Sequence, residues 1–194
     1  MTTFKRSVKP PEPTATLEVD PLSEFERRWV KETSFKNLES AVKQAEAINI
    51  DTDLGKVRTY HKNRNLPKLT GRVTTRLLQE ITLQEASTRS SIVTIVTRAT
   101  LHWQRITYLR HIAKTYVAAR DSNYLLSVVK TSSARDALID ALFRDADCMI
   151  GGLKELITFG ETIIGDIDKA AYRLHTIADS LALEFRTEVS LNGK

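Results

Sequence analysis

The sequence predicts an all-α protein: a long antiparallel helical hairpin within a helical bundle or a coiled-coil-like oligomer. Three observations predict it. All five prolines precede residue 68, which leaves 127 consecutive residues without one. Proline costs about 3 kcal/mol inside a helix, so that stretch is open to long helices. Apolar residues over 146–181 recur at alternating spacings of three and four, the period of a helix face. Polar turns at Arg120–Asn123 and Lys130–Ser133 separate that pattern from an earlier one of the same period.

The elements follow in chain order. Residues 1–19 are expected to be a disordered arm, because KPPEPTATLE has too little apolar surface to offset the entropy of ordering. Asp20-Pro21 opens a first helix over 20–48, since Asp caps and proline suits the first turn. Leu22, Phe25 and Trp29, then Leu38, Val42 and Ala45, keep helical spacing. A break is expected near 32–34, where Ser34 offers a second cap. Residues 49–70 read as a basic connecting loop, punctuated by Gly55, Asn63, Asn65 and Pro67. Its length marks it as functional or mobile.

Residues 71–191 form the hairpin. Its first arm carries Val73, Leu77 and Ile81, then Ile92, Val96, Ala99, Trp103, Ile106, Ala113 and Val117. Between these sets, QEASTRSS at 84–91 is a polar waist where the helix is expected to bend or stop. SSIVTIVT is rich in β-branched residues, yet the helical spacing continues far beyond it and argues for helix. Ser133 and Asp136 have the spacing of a capping box, so the second arm is expected to run from there to about 189.

In that arm the core positions are Met149, Leu153, Leu156, Ile163, Ile167, Leu174, Ile177 and Leu181. The adjoining positions Ile150, Ile157, Ile164, Ala171, Ala178 and Phe185 are apolar too. A two-stranded coiled coil needs only the narrower seam. The wider stripe requires more than one neighbour, hence a bundle of at least three helices or a homo-oligomer. Gly151 and Gly152 predict a kink; close approach of a neighbouring helix is the other use of glycines here.

Charge is unevenly placed. Residues 1–53 carry 8 basic and 10 acidic side chains, residues 54–120 carry 13 and 2, and residues 121–194 carry 8 and 12. No Asp or Glu lies between Asp53 and Glu80, a gap holding seven Lys or Arg. Such a run suits a polyanion, whose counterions are released when Lys and Arg neutralise phosphates.

Enzyme chemistry finds no purchase. The sequence has no Walker loop, HExxH, GxSxG or Glu-x-x-His, and no catalytic residue, metal or cofactor is assigned. Cys148 and His175 on one straight helix stand about 40 Å apart, so Cys148 reads as a small apolar side chain. A lone cysteine forms no disulfide within the chain. No apolar run follows Lys5, Arg6 and Lys9, and none approaches the ~20 residues that span a bilayer. The expected location is the cytoplasm or an intracellular or viral assembly, without secretion or membrane binding.

The expected function is architectural: a non-enzymatic helical protein that self-associates and contacts nucleic-acid backbone without sequence specificity. Lys56, Arg58, Tyr60, Lys62, Arg64, Lys68, Arg72 and Arg76 form the expected interface, with Tyr60 placed to stack on a base. The alternative is a protein-only scaffold or adaptor of a larger assembly, such as a viral, phage or secretion-type particle. There, basic and acidic helices pair with each other, packed together or between subunits, which accounts for Arg98, Arg105, Arg110, Lys114 and Arg120. An acidic protein surface is a third partner for the same charge.

Overall fold

The computed structural model describes residues 27–29, 31–64 and 73–192. The arm at 1–19, Lys68 and Arg72 therefore lie outside the described residues. Those described are helical with no strand: α1 Thr33–Glu46, α2 Ile50–Lys62, α3 Thr75–Arg120, α4 Ser122–Val128, α5 Ser132–Leu142 and α6 Arg144–Asn192. Residues 27–29 form a further helical piece. The expected break near 32–34 falls between that piece and α1, although Glu32 occupies the cap position and Ser34 does not cap.

The connecting loop expected over 49–70 is corrected at Ile50–Lys62, which is helix, while 65–70 lie outside the described residues. Asn49 caps a helix there, its side chain accepting from the Thr52 N–H at 2.9 Å. Asp51 and Asp53 in the first turn and His61 and Lys62 in the last complement the helix dipole. Leu54 and Val57 turn inward and are buried on the hairpin.

The hairpin is antiparallel. Arg89 pairs with Asp168, and further along Arg110 pairs with Asp147. As residue number rises on α3 it falls on α6. The polar waist at 84–91 does not interrupt α3, which is one helix of 46 residues, about 70 Å long. Its hydroxyls bond back one turn: Ser91 to the Ser87 carbonyl, Thr94 to Ser90 and Thr100 to Val96. The β-branched and hydroxyl residues thus sit in the helix without opening its ladder.

The second arm is not continuous from Ser133. Thr131, not Ser133, caps α5, accepting from the Ala134 N–H. The chain then breaks at Phe143, which is 1% exposed and packs against Phe35 at 6.1 Å between ring centroids. Beyond it α6 runs unbroken through Gly151 and Gly152.

All six helices reach the main core, α4 through Leu125 and α5 through Ile139. α3 and α6 pack along most of their length, with α1 and α2 laid against both. Leu153, Leu156, Ile163, Ile167 and Leu174 are buried, while Met149, Ile177 and Leu181 are half-buried. The width of the α6 stripe matches its neighbours: Ile150, Ile157 and Ile164 pack on the core where α1 and α2 lie alongside. Farther out a small second cluster joins Leu78, Ile81 and Leu174, flanked by Val73, Leu77, Ile177 and Leu181. There Ala171, Ala178 and Phe185 are exposed. The breadth that called for several neighbours is thus met within one chain along most of α6.

Candidate nucleic-acid interface

The expected interface divides once each basic side chain is placed. Arg64 is corrected: its guanidinium forks onto Glu85 with contacts of 2.7, 3.0 and 3.1 Å, and both side chains are almost wholly buried. The same guanidinium reaches the Asp166 carbonyl at 3.4 Å, so Arg64 ties the end of α2 to both long helices. Tyr60 is half-buried, its ring packed against the main core. Lys56 bonds at 2.9 Å to Asp53, a buried carboxylate that Arg98 also grips. Arg76 stands exposed on the first turns of α3 and pairs with Glu80 one turn on, at 3.1 Å.

Arg58 and Lys62 remain. Both lie on α2, exposed, one turn apart, and neither pairs with a carboxylate among the described residues. Arg58 extends over the Phe159 ring of α6, 5.9 Å from its centroid. Lys154, also exposed and without a carboxylate partner among the described residues, shares a groove with Arg58. Sequence alone does not bring Lys154 and Phe159 to this site, because they lie about a hundred residues from α2.

Most of the rest of the basic segment meets carboxylates of the same chain, the exposed Arg105 being an exception. Arg110 makes a two-point contact with Asp147 at 2.6 and 2.9 Å, and that hydrogen bond raises its hold on its proton. Lys114 bonds Asp140 at 2.5 Å. Arg120 bonds Glu32 at 2.5 Å and the Tyr116 hydroxyl at 3.0 Å, both raising its pKa. Arg89 donates to Asp168 at 2.7 Å and holds that carboxyl below its usual range. Arg105 donates to Gln44 at 2.7 Å. Of the two expected pairings, helices packed together or packed between subunits, these contacts make the first, within one chain.

Both tryptophans anchor the fold. Trp29 is 2% exposed and its indole N–H donates to Asp121 at 2.9 Å; Trp103 packs on the main core. Cys148 is exposed near the start of α6, and His175 lies 27 residues along the same helix, beside Asp179 at 3.3 Å. About 40 Å separates them, so they form no nucleophile–base pair within the chain. No cluster of three or more metal-ligating side chains occurs among the described residues, and none of their helices is long and apolar enough to cross a membrane. Comparison with family models, curated proteins and solved structures gives no match.

Proposed function

We propose that the chain is a non-enzymatic architectural protein that contacts the backbone of nucleic acid through the outer face of α2. One observation carries this reading. Within the basic segment most described cations are taken up by carboxylates of the same chain, whereas Arg58 and Lys62 are exposed and unneutralised among the described residues. Free, adjacent positive charge on a rigid helix is suited to tracking phosphates. Lys68 and Arg72 follow in sequence and add to the same charge.

The test is binding to a fluorescein-labelled polynucleotide measured by anisotropy across a salt series. Arg58→Gln/Lys62→Gln should bind more weakly and flatten the log–log salt slope by about 2, close to one unit per lost phosphate contact. Arg64 is unsuitable for this variant, because removing it strands Glu85 in the interior. Absence of binding by the wild type at low salt rejects the reading.

Self-association within a scaffold is the second reading, and a different observation favours it. Ala171, Ala178 and Phe185 leave an apolar edge on the outer part of α6, with Phe185 72% exposed. Sedimentation velocity over a concentration series tests it; a monomer throughout removes it.

A further inference from the structure

α2 and α6 flank a shallow groove widely open to solvent, about 460 Å³ in volume, within the ~300–1,000 Å³ of ordinary ligand sites. Leu54 and Arg58 of α2 face Gly151, Lys154, Glu155 and Phe159 of α6 across it. We infer that this groove takes one nucleotide of a single-stranded nucleic acid, its base on Leu54 and Phe159 and its phosphate at Arg58 and Lys154. The inference rests on the reading of α2 given above and names the part of the polymer that is gripped.

Three features support it. The floor is apolar and partly aromatic: Leu54 is buried, and Phe159 is half-buried beneath the Arg58 guanidinium. A planar base has such a surface to stack on once the Arg58 guanidinium moves off the ring to the phosphate. Next, the rim holds two cations without carboxylate partners among the described residues, beside one carboxylate, Glu155. A phosphate meets the cations, and the carboxylate accepts from an N–H on the pairing edge of the base, such as thymine N3–H. The third feature is Gly151. Within a helix glycine costs up to about 1 kcal/mol relative to alanine. Packing accounts for two of its neighbours: Gly152 admits Ile50 and Gly160 admits Val96. At Gly151 an added Cβ would meet nothing within 4 Å, so no packing demand excludes a side chain there. What the missing side chain leaves is room in the groove. Gly55 and Gly165 also face open space, and nothing in the structure explains them.

A base in a duplex is stacked and paired, and its face is closed to this groove. The inference therefore demands a preference for single strands that backbone contact alone does not. The probes are fluorescein-labelled oligothymidine and the duplex of the same length, titrated by anisotropy at low salt. Wild type should bind the single strand more tightly. Gly151→Leu, which fills the groove from open space, should weaken single-strand binding about tenfold or more. It should leave duplex binding and the salt slope unchanged, and melt no lower than wild type. Gly151→Met, with a more flexible side chain, repeats the test if leucine disturbs the helix.

Unchanged single-strand binding in folded Gly151 variants overturns the groove, as does equal affinity for the two probes. In either case, a flattened slope in Arg58→Gln/Lys62→Gln leaves the backbone reading standing. A glutamate–tyrosine copolymer that displaces oligothymidine at lower charge concentration assigns the groove to an acidic peptide and overturns the nucleotide. Binding of neither nucleic acid by the wild type removes both readings together.

Discussion

Gly160→Ala tests the closest approach of the two long helices. A Cβ built at Gly160 falls closer than 3.0 Å to Val96 Cγ2, with Ile92 Cγ2 at 3.7 Å. Methyl carbons rest at about 3.5–4.0 Å, so the contact must open by more than about an ångström. Val96 does not yield easily: it is 8% exposed, and a β-branched side chain in a helix has one strongly preferred rotamer. Overpacking of this kind costs about 1–3 kcal/mol. Alanine in a helix interior returns about 1 kcal/mol relative to glycine. The net expectation is a loss of about 0–2 kcal/mol where propensity alone predicts a gain.

The partner variant separates the two effects. Val96→Ala removes the obstructing methyl and by itself costs about 1.5 kcal/mol or more, from two buried carbons. In that background Gly160→Ala should become stabilising, with a coupling of about 1–3 kcal/mol between the sites. Urea unfolding followed by far-UV circular dichroism measures all four corners of the cycle. If Gly160→Ala stabilises by the same amount in both backgrounds, Val96 does not face Gly160. The register of the hairpin drawn from Arg89–Asp168 and Arg110–Asp147 is then wrong.

Two further outcomes are expected. Glu85→Gln leaves the Arg64 guanidinium charged, buried and unmatched, and should cost about 3–5 kcal/mol by urea unfolding, whereas Arg64→Met/Glu85→Leu should recover most of it; a single variant within about 0.5 kcal/mol of wild type contradicts the burial of the pair. The Arg89 hydrogen bond lowers the Asp168 pKa from its ordinary 3.8, so the pair's contribution is complete above that value and is lost as pH falls through the lower, folded one; Asp168→Asn should shrink the loss of urea midpoint on acidification below 3.8, and an unchanged acid limb rules this contribution out.

The helix class and the inward face of α6 were legible because period-3.6 burial leaves its mark on every turn from Leu153 to Leu174. The same signal was present in α2, as Ile50, Leu54 and Val57, but Gly55, Asn63, Asn65 and Pro67 outweighed so short a run. What decides α2 is the Asn49 cap and a surface for Leu54 and Val57 to cover, and that surface comes from distant parts of the chain. Phe143 shows the converse. Apolar spacing runs through it without a gap, yet the chain breaks there to seat one ring against Phe35. At the interface, Arg58 and Arg64 are alike in sequence. Only Glu85, one of two acids in residues 54–120, hinted that one nearby cation had an internal partner.

The overall charge pattern follows from the same placement. Exposed pairs such as Arg89–Asp168 contribute little stability. Their value lies in pairing: a basic α3 against an acidic α6 satisfies both Arg89 and Arg110 only in the antiparallel register, and a slipped or parallel arrangement strands them. The segment that reads as a strongly positive surface is therefore mostly a folding instruction, with Glu32, Asp53, Asp140, Asp147 and Asp168 as its counterparts. The surplus left on α2 is small, and two or three phosphate contacts alone bind weakly at physiological salt. An architectural role must then draw affinity from elsewhere: from Lys68 and Arg72, from a base held on Phe159, or from several copies acting on one polymer. These sources differ in what they require, namely charge, an open groove and an exposed α6 edge, so each fails separately when its own residues are changed.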